Sequence, residues 1–198
     1  METLKINDIR DSIMKFIHSL NTQDKAEIVL EFLQVEAKKK KDEDALNAMM
    51  IADIKNNKIK IYPEIVQLSY EKGNYRNNFK ISLLEFFNLV ICHEFGHFDD
   101  NFDVEKEKNE LHSLFEKSYK EGQVRGINSS IIPEINAWNY GEKYVSTYLL
   151  EAYKTFNVSN LLTYTKRYRK LLGENLEVFI EHTDERVKNI FNYEELFN

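Results

Sequence analysis

Residues 83–98 read LLEFFNLVICHEFGHF, a stretch that is apolar on every side when it is wound as a helix. Ser82 and Glu85 match a capping box, in which the two side chains bind backbone N–H groups at the start of a helix. A helix without a broad polar face is stable only where other elements cover it. We therefore expect a central buried helix, set within a predominantly helical α+β fold that has a small sheet.

Apolar spacings of three and four residues predict that most of the remaining chain is helical. We expect helices over residues 6–20, 24–39, 104–121, 133–153, 159–172 and 175–192, and one that begins at Asp42. Residues 58–62 alternate polar and apolar side chains, which predicts a strand, and Pro63 after them favours a place near a sheet edge. Residues 64–71 suit a short helix or a second strand, and we favour the helix. Residues 122–129 are predicted to form a loop.

The length and composition favour one globular domain over residues 1–198. Six glycines and two prolines are too few for a flexible polymer. Within this domain we expect a helical segment over 1–56, a core over 58–153 and closing helices over 159–198.

The charge and the cysteine content narrow the functional classes. The formal net charge is −6, so we do not expect direct binding of nucleic acid, which needs an excess of Lys and Arg. The single cysteine, Cys92, excludes an internal disulfide and a zinc site made of thiolates alone, so a metal would need His and carboxylate ligands. The first residues lack a cationic segment leading into an apolar stretch, and no long apolar run follows. We expect a cytoplasmic protein that does not bind membranes.

Residues 93–97 read His-Glu-Phe-Gly-His, an H-E-x-x-H motif at the end of the apolar segment. On a helix, His93 and His97 lie one turn apart on the same side, so both imidazoles can bind one metal ion. Glu94 then lies beside the ion without binding it, where it can take a proton from a metal-activated water. Chance produces roughly 0.014 such matches in a chain of this composition. The pattern predicts a zinc hydrolase.

A catalytic zinc usually has three protein ligands, so a third must come from elsewhere. Asp103 lies six residues after His97, but Asp100 replaces the glycine that would let the chain reverse there. His112 is a second option. Glu134 is the preferred one, because Ala137 and Gly141 follow it one and two turns later and let its helix approach the buried helix closely.

His93 to His97, followed after 37 residues by Glu134-Ile-Asn-Ala137, resembles the gluzincin group of zinc metallopeptidases. The pattern H-E-x-x-H then E-x-x-A is similar to that of the small cytosolic ImmA/IrrE-like proteins. This resemblance covers about residues 58–150. It implies a zincin-like core with a buried H-E-x-x-H helix and a second ligand-bearing helix. It also implies His93, His97 and Glu134 as ligands of one zinc ion, Glu94 as general base, and a protein or peptide substrate.

Supporting residues remain open at this point. The candidates for a carboxylate that orients a metal-bound imidazole are Asp99, Asp100 and Glu142. The candidates for a proton donor are His112, Tyr140, Tyr144 and Tyr148. We expect Cys92, Trp138, Phe86 and Phe87 to be core residues.

The leading hypothesis is a zinc-dependent metallopeptidase. A non-proteolytic binding or regulatory protein built on the same scaffold is the alternative. A helical bundle with an accidental motif is a third possibility, and it predicts that Glu134 lies far from both histidines.

Overall fold

The computed structural model describes residues 5–20, 22–34, 48–100, 103–173, 178, 181 and 183–190. These residues are mostly helical and include one three-stranded sheet, which confirms a predominantly helical α+β fold. The strands are β1 Val29–Phe32, β2 Met50–Asp53 and β3 Lys58–Ile61. The helices are α1 Ile6–Ser19, α2 Gln23–Ala26, α3 Pro63–Lys72, α4 Tyr75–Asn78, α5 Leu83–Asp99, α6 Val104–Lys117, α7 Tyr119–Gly141, α8 Leu150–Gly173 and α9 Glu185–Ile190. Among the described residues, no helix is both long and apolar enough to cross a bilayer.

The described residues form two compact units. One lies within Met1–Asp99 and Asn139–Tyr153, and the other lies within Asp100–Trp138 and Lys154–Asn198. The division into segments 1–56, 58–153 and 159–198, and the single domain over 1–198, stay predictions.

The sheet of the first unit has the strand order β1-β3-β2. β1 pairs with β3 in parallel, and β2 pairs with it antiparallel. The expected edge position of residues 58–62 is therefore wrong. Pro63 begins α3 after the strand has ended, so it removes no hydrogen bond from the ladder. The predicted strand itself and the helix that follows it are confirmed.

The helix expected over residues 24–39 is also wrong. Of its described residues, up to residue 34, Gln23–Ala26 alone is helical, and Val29–Phe32 forms β1. The apolar spacing of the segment fits a helix, but pairing with Lys58–Ile61 satisfies its backbone instead. The start of the helix expected at Asp42 lies outside the described residues, and Met50–Asp53 forms β2.

Helix α5 is buried as predicted. The capping box is present: Glu85 Oε2 accepts from the Ser82 N–H at 2.6 Å, and Ser82 Oγ accepts from the Glu85 N–H at 3.2 Å. The helix packs against α1, β2 and α3. Phe86, Phe87 and Cys92 are each at most 2 % exposed, so their assignment to the core is confirmed.

The loop expected over residues 122–129 is wrong, because α7 runs through them without a break. The preceding helix ends earlier than expected, at Lys117, and Ser118 is extended and accepts from the Glu121 N–H at 3.4 Å. A β-carbon on Gly122 would lie 2.5 Å from the Phe115 ring, so this glycine permits a close contact between α7 and α6. The apolar spacing of the helix predicted over residues 104–121 turns Phe115 and Tyr119 inward, but in the structure they are 38 % and 68 % exposed.

The core of the second unit explains why α7 is continuous. Four buried residues of this core recur every three or four positions along α7: Val124, Ile127, Ile131 and Ile135. They pack in one cluster with Val187 of α9. Trp138, also expected in the core, is 1 % exposed. Pro133 lies inside α7. It does not start a helix as predicted.

The end of α7 at Gly141 also differs from expectation. Residues 133–153 were predicted as one helix, but two 3-10 turns, Glu142–Tyr144 and Thr147–Leu149, precede α8. Helix α8 then runs from Leu150 to Gly173, across the predicted boundary between residues 153 and 159.

Candidate metal centre

His93 and His97 occupy successive turns near the carboxyl end of α5. Their ring centroids are 4.8 Å apart and the ring planes make an angle of 77°. His93 is 6 % exposed, and His97 is half-buried. Because the helix fixes the four-residue spacing, both imidazoles face the same side, as the motif predicts.

Glu134 contributes the third group of the cluster. It lies on α7 and is half-buried, and one ligand atom from each of His93, His97 and Glu134 lies within 4.8 Å of the others. The prediction made by the accidental-motif hypothesis, that Glu134 is remote from the histidines, is therefore not met.

The donor set of this cluster fits a divalent metal ion. Two imidazole nitrogens and one carboxylate oxygen are the ligands of many catalytic zinc sites, which keep a fourth position open. Tetrahedral bonds of about 2.1 Å put ligand atoms roughly 3.4 Å apart. Two ligand atoms separated by the full 4.8 Å would need to move about 1.4 Å closer to each other to reach that spacing. The three residues could therefore hold one ion after a small side-chain adjustment.

Glu94 lies next to His93 in α5 and is 4 % exposed. The Tyr153 phenol belongs to the same compact unit, and the charge of Glu94 affects its pKa. Burial raises the pKa of Tyr153 far above its ordinary value, and the charges of Glu142 and Glu94 raise it further. Tyr153 is therefore a neutral hydroxyl group within electrostatic range of the predicted general base.

The carboxyl end of α5 is anchored by Asp99. This carboxylate accepts from Lys25 Nζ at 2.7 Å and from the Tyr144 hydroxyl at 2.6 Å, and Lys143 Nζ is 3.1 Å away. Burial favours the neutral acid, but these donors outweigh it and hold the pKa of Asp99 below its ordinary value. Lys25 is only 3 % exposed and also lies 5.9 Å from the Phe95 ring centroid. The network fixes the end of the helix that carries both histidines.

Close packing also positions the middle of α5. A β-carbon on Gly141 would lie 2.4 Å from the Cys92 carbonyl oxygen and 2.4 Å from the Tyr153 hydroxyl. The proposed purpose of this glycine, a close helix approach, is confirmed. Burial raises the pKa of the Cys92 thiol well above its ordinary value, as expected for an inert core cysteine.

The other candidate ligands lie elsewhere. Asp103 caps α6 and accepts from the Lys106 N–H at 2.9 Å. The His112 side chain is 81 % exposed and lies 3.6 Å from Glu116. Neither belongs to the metal-ligand cluster.

The structure assigns contacts to several of the supporting candidates. Asp100 accepts from Asn136 Nδ2 at 3.2 Å, and Asn136 in turn accepts from Arg186 Nη1 at 2.9 Å. Tyr148 donates to Glu85 at 2.9 Å, and Tyr140 is 43 % exposed.

Sequence reasoning missed Tyr164, a partly buried residue whose pKa responds to the Glu134 carboxylate. It lies on α8 and belongs to no motif, and it is one of eleven tyrosines. Burial raises the pKa of Tyr164 far above its ordinary value, and the Glu134 charge adds to the rise. No signal in the sequence singles this residue out.

Comparisons with protein-family models, with curated proteins and with solved structures find no match to this chain.

Proposed function

We propose that this chain is a zinc-dependent metallopeptidase with a zincin-like core, similar to the gluzincins. The observation that carries the proposal is the cluster of His93, His97 and Glu134, with Glu94 next to the first ligand on a buried helix. Two imidazoles and a carboxylate also suit iron. The adjacent carboxylate of Glu94 favours hydrolysis, which needs a base next to the metal.

The proposed reaction is hydrolysis of a peptide bond. When bound, a zinc ion with three protein ligands lowers the pKa of its water to about 7 and polarises a carbonyl group. Glu94 accepts a proton from the attacking water, whose oxygen forms a bond to the carbonyl carbon. The C–N bond then breaks, and Glu94 returns the proton to the leaving nitrogen. The products are a carboxylic acid and an amine, and transfer of the remaining proton of the water between them gives a carboxylate and an ammonium group.

The first test is the metal content of the purified protein. We expect about one zinc ion per chain by elemental analysis. Replacement Glu134→Ala should strongly weaken zinc binding, measured by competition with a chromophoric chelator. Glu116→Ala is the matched control, because the Glu116 side chain is 69 % exposed and lies outside the cluster. Iron in place of zinc, or equal zinc affinity in the Glu134→Ala protein, would contradict the proposal.

The second test separates catalysis from binding. Glu94→Gln should keep the metal but lose peptide cleavage by about 100-fold or more, because it removes the general base. Cleavage is read by mass spectrometry as new amino termini in a proteome-derived peptide library. Glu116→Gln is the control for a surface charge change. Equal numbers of new termini with native and Glu94→Gln protein would exclude the mechanism, and zinc binding without any cleavage would favour the non-proteolytic alternative.

A further inference from the structure

We propose that Asn136 is a positioning residue that orients the turn of α7 carrying Glu134 for metal binding. Its side-chain amide bridges Asp100 and Arg186 through hydrogen bonds. This inference rests on the proposed metal site and extends it to a residue outside the ligand cluster. Asn136 is not proposed to touch the metal or a substrate.

The bridge uses both polar atoms of the Asn136 amide. Nδ2 donates to Asp100, whose two carboxylate oxygens each lie 3.2 Å away, and Oδ1 accepts from Arg186 Nη1 at 2.9 Å. Arg186 is held in turn by Asp184, which accepts from its Nε at 2.9 Å and from its Nη2 at 2.8 Å. A carboxylate accepts and a guanidinium donates, so the side chain between them must do both. Asparagine meets this requirement, whereas a leucine or an ionised aspartate of similar size does not.

The bridge lies close in sequence to the candidate ligands, and its residues all belong to the second compact unit. Asp100 directly follows α5 and comes three residues after His97, and Asn136 comes two residues after Glu134. Two residues span roughly 200° around a helix, so Asn136 and Glu134 lie on nearly opposite sides of α7. Because an anchor on one side of a helix resists its rotation, the bridge also determines where the opposite side points.

Apolar packing holds the same part of α7 against α9. Val187 of α9 is fully buried in one cluster with Ile131 and Ile135. These isoleucines lie three residues before and one residue after Glu134. Apolar packing is not directional, whereas hydrogen bonds have a preferred distance and angle. The bridge made by Asn136 therefore adds the directional restraint that this packing lacks.

The first experiment compares Asn136→Leu with Ser129→Ala in the purified protein. Leucine is close to asparagine in size, and it removes both hydrogen bonds without changing the charge. Ser129→Ala is the matched control, because Ser129 also lies on α7 and its hydroxyl joins this helix to Glu107 of α6. We expect Asn136→Leu to weaken zinc affinity by about 10-fold in chelator competition, the lower end of what partners of metal ligands contribute. Ser129→Ala should leave the affinity near its native value.

An exchange of the two bridging side chains gives a second readout. Asn136→Asp alone sets one carboxylate against that of Asp100, and it should shift the visible bands of the Co²⁺-loaded protein. Adding Asp100→Asn restores the net charge and reverses the direction of the hydrogen bond. Both Asp100 oxygens are equally distant from Asn136 Nδ2, so either orientation of the new amide fits. The bands and the zinc affinity of this exchange protein should return to their native values, and circular dichroism checks that each variant is folded.

The outcomes separate this inference from the proposed function. Native zinc affinity in Asn136→Leu, or an equal loss in Ser129→Ala, would overturn the positioning role and leave the metal site intact. A Co²⁺ spectrum that stays shifted in the exchange protein would also overturn it. If native protein binds no metal, the proposed function fails and this inference fails with it. Zinc affinity is measured without a substrate, so an absence of peptide cleavage would contradict the proposed function alone.

Discussion

At Gly141, a single missing side chain permits a close contact with helix α5, which carries His93 and His97. A β-carbon there would lie 2.4 Å from the Cys92 carbonyl oxygen, which is backbone and cannot rotate away. Gly141→Ala should therefore destabilise the protein by about 1–3 kcal/mol, the usual cost of overpacking. Urea unfolding followed by circular dichroism measures this change in the free energy of unfolding.

Gly126 is the matched control for this prediction. It lies in the same helix, but its added β-carbon would be 4.0 Å from the nearest Leu111 methyl groups, an ordinary contact. Alanine is favoured over glycine within a helix by about 1 kcal/mol, so Gly126→Ala should be neutral or stabilising. Equal destabilisation by both substitutions would contradict the packing argument.

At the scale of elements, α6 and α7 are joined by an ion pair in the second unit. Glu107 accepts from Arg125 Nη2 at 2.6 Å and also binds Arg125 Nε and the Ser129 hydroxyl. The hydrogen bonds from Arg125, opposed by burial, hold the pKa of Glu107 below its ordinary value of 4.5. The ionised form is thus favoured by folding, and its stabilisation is present above pH 4.5 and is lost as the pH falls through the lowered pKa.

Glu107→Gln should therefore cost about 1 kcal/mol at pH 7, a value discounted because Arg125 is 42 % exposed. The difference from native protein should shrink as the pH falls from 4.5 toward 3, measured by urea unfolding at each pH. Glu110→Gln is the control, since Glu110 also contacts Arg125, at 3.1 Å, but is 48 % exposed and should matter less. A difference that stays constant from pH 7 to pH 3 would contradict this account.

The elements that could be predicted from the sequence are those with local signals. The capping box and the uniformly apolar run define α5, and Pro63 in the first turn defines α3. The segment Val29–Phe32 was misassigned because its strand depends on pairing with Lys58–Ile61, a partner that periodicity cannot reveal. The loop at residues 122–129 was a different error, since the spacing of Val124, Ile127 and Ile131 carried a helical signal.

The residues of the candidate site also fall into those with a local sequence signal and those without one. His93 and His97 were predictable because one helix sets their spacing, and Glu134 because a small residue follows it one turn later. Tyr164 and Lys25 were not predictable, because each interacts with a residue far away in sequence. The pKa of Tyr164 responds to Glu134, and Lys25 donates to Asp99. Asp99 is one of three candidates for orienting an imidazole, with Asp100 and Glu142, and in the structure it contacts Lys25, Tyr144 and Lys143. Such partners depend on the tertiary fold.

At the scale of the whole molecule, the candidate ligands are brought together by folding. Glu134 follows His97 by 37 residues, and an unfolded chain does not hold the three ligand atoms within 4.8 Å of one another. A metal that binds the folded chain more tightly than the unfolded chain must stabilise the folded state. A metal bound at the His93, His97 and Glu134 cluster would therefore stabilise the fold independently of any substrate.

Zinc at a free concentration of 100 times its dissociation constant should stabilise the folded protein by about 2.7 kcal/mol. For a chain of this size, that corresponds to a rise in Tm of roughly 5–10 °C, measured by scanning calorimetry, and excess chelator should reverse it. His97→Ala should abolish most of the rise because it removes one of the three ligands. His112→Ala should retain it, since the His112 side chain is 81 % exposed and lies outside the cluster. An equal rise in both variants would mean that zinc binds elsewhere on the folded chain, and no rise in native protein would exclude a site that forms on folding.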